Sequence, residues 1–104
     1  MEMLVIELKL KHIAKQYLDV AKLQITRSGD YLSSYSIRLK LFFCERVETA
    51  YDSLPPSLKI IINNDFFYQD YPGWWKSSYS KKQYHKLKRK AVNLFLEVFY
   101  ESGY

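Results

Sequence analysis

Apolar residues recur at three- and four-residue intervals along most of the chain. From about residue 1 to 25, Met3, Ile6, Leu10, Ile13, Tyr17 and Val20 form one stripe, and Leu4, Leu8, Ala14, Leu18 and Ala21 form a second. This is the periodicity of a helix that is apolar over a wide arc. Such a helix needs apolar partners on two sides, so it lies between other helices or forms the seam of a homodimer through the N-terminal helices. The stretch Glu7-Leu8-Lys9-Leu10-Lys11 alternates as a strand would, but no second strand candidate follows to pair with it. Arg27-Ser28-Gly29-Asp30 ends the helix: Gly29 can take the left-handed conformation of a helix C-terminus, and Asp30 or Ser34 can cap the next element.

A second helix is expected from residue 32 or 35 to residue 51, with Tyr35, Leu39, Phe42, Phe43, Val47 and Ala50 inward and Arg38, Glu45 and Arg46 outward. Leu54-Pro55-Pro56 resets the chain, because a proline costs nothing in a first helical turn. A third helix should start there and carry Leu58, Ile61 and Ile62 inward, weakening at Asn63-Asn64-Asp65. Asp70-Tyr71-Pro72-Gly73 is a turn signal, since proline fixes one torsion and glycine permits a positive one. A short helix is expected over 74–79. The last helix, 80 to about 100, opens with Ser80 as N-cap and Gln83 three residues on, the spacing of a capping box.

With three glycines and three prolines in 104 residues, the chain lacks the regular turn signals of a sandwich or barrel. The expected fold is all-α: one domain, a small bundle of about five helices over 1–104, with a C-terminal helix-turn-helix portion at 54–100. Aromatic residues are frequent and gather beyond residue 65, which favours aromatic packing around the C-terminal helices. The single Cys44 stands in the apolar run Leu41-Phe42-Phe43-Cys44, so no internal disulfide forms and a core role is expected. No apolar run approaches a membrane span and no signal peptide is legible, so a cytoplasmic protein with no membrane partner is expected.

Charge changes the picture once it is located. Residues 1–70 hold nine Lys/Arg and nine Asp/Glu, whereas residues 71–104 hold seven and two, which places the entire net charge of +5 in the last third. That asymmetry points to an anionic partner for this segment. On the last helix, Tyr84, Leu87, Ala91, Leu94, Phe95 and Val98 fall on one side, and Lys82, His85, Lys86, Arg89 and Asn93 on the other. Lys88 and Lys90 lie on the flanks, and Lys81 stands at the helix entrance. From Ser80 to Lys90 there are six cations and no acid.

A recognition helix needs this layout, because its first turns enter the major groove while its last turns anchor it in the domain. The candidate DNA-binding residues are Lys81, Lys82, His85, Lys86, Arg89, Lys90 and Asn93. The cations would neutralise phosphates, and Arg89 and Asn93 have the donor geometry to read guanine and adenine edges. Trp74 and Trp75 have rings that can stack bases or wedge a duplex, although tryptophans beside Pro-Gly are more often core.

The run LPPSLKIIINNDFF, a turn, and then YSKKQYHKLKRKAVNLFLEV resembles region 4 of bacterial sigma factors, and more closely the ArpU-type phage regulators. The resemblance covers 47–98 and rests on Leu54-Pro55, Ile60-Ile61, Ser80, the run 86–90, Ala91 and Leu94. It implies a helix-turn-helix with buried isoleucines in its leading helix and a serine-capped recognition helix. The chain departs from the pattern before the last helix, where Trp74, Trp75, Ser77 and Ser78 replace the usual small residues. Paired tryptophans before a tyrosine-serine-lysine motif also resemble small proteins of wall-less and related Gram-positive bacteria.

Catalytic machinery is not legible. His12 and His85, the only histidines, sit on an apolar helix and a cationic face, which leaves no triad or three-ligand metal site. Acidic pairs such as Glu45 and Glu48 read as solvated carboxylates. The expectation is a non-enzymatic, cofactor-free DNA-binding transcription regulator. The alternatives are a subunit docking on RNA polymerase or another acidic protein, and an RNA-binding protein, since cationic helices serve all three.

Overall fold

The computed structural model describes the backbone of residues 2–27 and 34–102, and the side chains of residues 5–20 and 39–101. Every regular element among them is helical: α1 (Glu2–Arg27), α2 (Ser34–Asp52), α3 (Pro56–Ile62) and α4 (Lys81–Ser102), with a π turn at Asn63–Phe67 and a 3-10 turn at Trp74–Ser77. The all-helical expectation holds, with four α-helices among the described residues rather than about five. The short helix expected over 74–79 is a single 3-10 turn. The stop and cap expected at Gly29 and Asp30 fall outside the described residues, as do the side chains of Met3, Leu4, Ala21, Tyr35 and Arg38.

Local chemistry sets the boundaries. Ser53 closes α2 by donating its hydroxyl to the Ala50 carbonyl at 2.7 Å and its N–H to the Thr49 carbonyl at 3.1 Å, satisfying acceptors a helix end leaves open. Pro55 is extended at φ −60°, ψ 154°, and its carbonyl accepts the N–H groups of Leu58 and Lys59 at 2.9 and 3.0 Å, which starts α3. Asn63, Asn64 and Asp65 compete poorly for helix, and there the ladder widens: the Tyr68 N–H reaches the Asn63 carbonyl at 2.8 Å, five residues back. At the next corner Gly73 has φ 78°, ψ 13°, and the Trp74 N–H donates to the Tyr71 carbonyl at 3.1 Å. That is a type II turn, whose third position favours glycine.

The core is one cluster drawn from all four helices. Leu10, Ile13 and Ala14 come from α1, Val47 and Ala50 from α2, Leu58, Ile61 and Ile62 from α3, and Ala91, Val92, Phe95, Leu96 and Phe99 from α4, with Leu54 and Phe66 filling its ends. Ala14, Ala50 and Ala91 have no exposed surface, and their small side chains let the helices approach closely. The α4 helix packs on α1, α2 and α3 and is the spine of the fold.

Three faces differ from expectation. The buried arc of α4 centres on Tyr84, Val92, Phe95 and Phe99, while Leu87, Leu94 and Val98 are only half-buried at its edge. On α2, Leu39 and Phe42 are exposed rather than inward, and Arg46 is inward rather than outward. The Arg46 guanidinium donates to the Phe99 carbonyl at 3.2 and 2.8 Å and lies 4.2 Å from the Phe99 ring centroid. Cys44, Val47 and Ala50 face the core. On α3, Leu58, Ile61 and Ile62 are buried as the periodicity predicts, whereas Ile60, which the sigma resemblance places among the buried isoleucines, is exposed. Cys44 is buried as expected, and burial together with nearby Glu48 pushes its thiol pKa up, away from reactive thiolate.

Candidate nucleic-acid interface

The capping box that opens α4 forms as its spacing predicts. The Gln83 N–H donates to Ser80 Oγ at 3.2 Å, and the Ser80 N–H donates back to Gln83 Oε1 at 3.2 Å. These reciprocal bonds satisfy two donors that a bare helix start would orphan.

Beyond the cap, Lys82, Lys86, Arg89 and Asn93 follow one another at intervals of four, three and four residues, so they form one stripe along the helix. All four are exposed, as are Lys81, His85 and Lys90 beside them. The stripe spans three helical turns, about 16 Å at 1.5 Å per residue. The structure therefore brings all seven candidate residues onto the solvent side of α4. His85 is also held by rings: its centroid lies 5.2 Å from that of Tyr84 and 6.5 Å from that of Trp75.

Lys88 departs from the flank position expected for it. It sits in the middle of the buried arc, one turn from both Tyr84 and Val92. Its ammonium pairs with Glu7 of α1 at 3.1 Å and with Asp65 of the π turn at 3.5 Å, over the faces of Phe66 and Tyr84. One of the six cations between Ser80 and Lys90 is thus spent inside the fold, which leaves five facing solvent.

Asp65 is the junction that fixes the start of α4. Its carboxylate accepts Trp74 Nε1–H at 2.9 Å, the Tyr84 hydroxyl and the Lys88 ammonium. Trp75 stacks on Tyr84 with centroids 4.2 Å apart and planes within 7°, and Trp74 meets the same ring edge-on at 6.2 Å. Trp74 packs against the core, and both tryptophans buttress α4. The sequence reading missed Asp65 and Lys88. The signal was a lysine in the centre of an apolar stripe, which must be paired if it is buried.

The 3-10 turn and α4 are separated by three residues, 78–80, the length of a helix-turn-helix turn. The element before that turn is only four residues long, whereas the motif places a full helix there. Among the described residues, no group of three His, Cys, Asp or Glu side chains is placed to hold a metal ion, and no helix is long and apolar enough to cross a membrane. Compared with protein-family models, with curated proteins and with solved structures, the chain matches none of them.

Proposed function

We propose that the chain is a DNA-binding transcription regulator that presents the outer face of α4 to the major groove. The observation that supports this most is the exposed stripe Lys82, Lys86, Arg89 and Asn93, flanked by Lys81, His85 and Lys90, on a helix whose opposite face is the spine of the core. A major groove about 12 Å wide admits such a helix. Lysines on the outer face contact phosphates, and Arg89 and Asn93, in the C-terminal half of the stripe, address base edges. In this reading 54–100 works as a helix-turn-helix-like unit in which the 3-10 turn and the Asp65 junction replace a full leading helix. The protein acts without catalysis or cofactor.

The test is the alanine variant of Lys82, Lys86 and Arg89 together. All three are exposed, so each should change stability by less than about 0.5 kcal/mol, while duplex binding collapses. For the parent, log K should fall with log salt at a slope of about −4, from four or five phosphate contacts. A triple variant that melts normally and still binds duplex DNA as tightly as the parent rejects the reading.

A second reading is favoured by the shortness of the element before α4. Without a full leading helix lying across the DNA backbone, the cationic face also suits an acidic protein surface, such as one on RNA polymerase. In that case a purified polymerase, and not duplex DNA, would bind the parent and lose the triple variant.

A further inference from the structure

On the side of the molecule formed by α1, α2 and the π turn lies a cleft of about 250 Å³, several times the roughly 30 Å³ a water molecule occupies in the liquid. Its walls are aromatic: Tyr17 from α1, Tyr51 from α2, and Phe67 and Tyr68 from the π turn and the residue after it, over a floor at Val47. Tyr17 and Phe67 meet edge-on with centroids 5.7 Å apart, so the planes of these two lining rings are nearly perpendicular. Two carboxylates, Glu48 and Asp52, stand one helical turn apart on α2 at its exposed rim. Glu48 accepts the Tyr17 hydroxyl at 2.8 Å. Among the described residues, neither acid is in an ion pair.

We propose that this cleft binds an organic ammonium group, held by the faces of its aromatic rings and by the Glu48 and Asp52 carboxylates. Ring faces carry negative charge density and attract a cation within about 6 Å of their centroids. The two like-charged carboxylates, four residues apart, repel one another, and a cation between them relieves that repulsion. No Lys or Arg lines the cleft. Lys59 Nζ lies outside the lining and 5.7 Å from the Tyr51 centroid, so that ring already accepts an ammonium. The widened π turn creates the space, since it sets Phe67 and Tyr68 beside Asn63 rather than continuing α3; such turns recur at binding sites. An apolar ligand would leave both carboxylates unused, and an anion would be repelled by them. The site is independent of the cationic face of α4.

The test uses the full chain and observes its aromatic resonances during titration with choline and with 3,3-dimethylbutan-1-ol, in which carbon replaces the charged nitrogen. Choline should shift the Tyr17, Tyr51, Phe67 and Tyr68 rings saturably, and the neutral isostere should bind at least about tenfold more weakly. The double variant Glu48→Gln, Asp52→Asn should lower choline affinity about tenfold, and because both residues are exposed it stays folded. The Lys82, Lys86, Arg89 alanine variant should bind choline as the parent does. Tighter binding of 1,4-diaminobutane than of a capped lysine supports a free amine as the source of the cation, and the reverse supports a protein side chain. Equal binding of the neutral isostere, unchanged affinity in the double variant, or no shift of these rings overturns the proposal.

Discussion

Asp65 joins three segments through one carboxylate, and Lys88 brings in a fourth by pairing with Glu7. Truncating such an acceptor leaves Trp74 Nε1–H, the Tyr84 hydroxyl and the Lys88 ammonium short of a partner in a largely dry environment. Asp65→Ala should therefore cost about 3 kcal/mol, measured by urea unfolding. Lys88→Ala should also destabilise, yet it should leave the salt slope of DNA binding unchanged because its ammonium never reaches the outer face. Two tyrosines carry a pH signature. Burial, with the Glu48 carboxylate second, pushes the Tyr17 phenol up to about 12. Burial and the Asp65 hydrogen bond raise Tyr84 as well. The folded state favours the neutral phenols, so both contributions are fully present below the unfolded value near 10; that of Tyr17 is lost as pH rises through 12, and that of Tyr84 is lost at still higher pH. Tyrosinate absorbance should show two late-titrating groups, and Glu48→Gln should bring one of them down.

At the scale of elements, the caps and corners were legible because their chemistry is local. Ser80 and Gln83 lie three residues apart and bond as that spacing dictates, so Ser80→Ala should lower stability by about 1 kcal/mol, read as a shift of the thermal midpoint. Pro55-Pro56 opens α3, and Pro72-Gly73 makes its turn; at Gly73 an added Cβ would meet Lys76 Cε at 3.3 Å with φ at +78°. The orientation of helices about their own axes was less legible. Periodicity locates an apolar arc only to within the width of that arc, and the final rotation depends on partners distant in sequence. Arg46 turns inward because the Phe99 carbonyl and ring await it. Lys88 turns inward because Glu7 and Asp65 do. The seven candidate residues of α4 stayed outside because a run this rich in cations has only one low-cost direction, toward water. The aromatic cleft left no trace along the chain, since its walls come from three separate segments.

For the whole molecule, an apolar groove runs between α1 and α2, from Val5 and Leu8 past Gln16 and Phe43 to Leu39. Val5 and Leu8 are each 54% exposed and Leu39 51% exposed. If a second copy covers this groove, sedimentation should show a concentration-dependent dimer, and Leu8→Glu should hold the chain as a monomer. A further consequence follows from α4 being both the spine of the core and the bearer of the cationic stripe. Its backbone amides between Tyr84 and Phe99 cannot open locally without dismantling the core, so they should exchange with deuterium only through global unfolding. A surface carried on the slowest-exchanging element is already ordered before it meets a partner. Docking then owes nothing to coupled folding, and the heat-capacity change on binding should be no larger than the buried contact area itself requires.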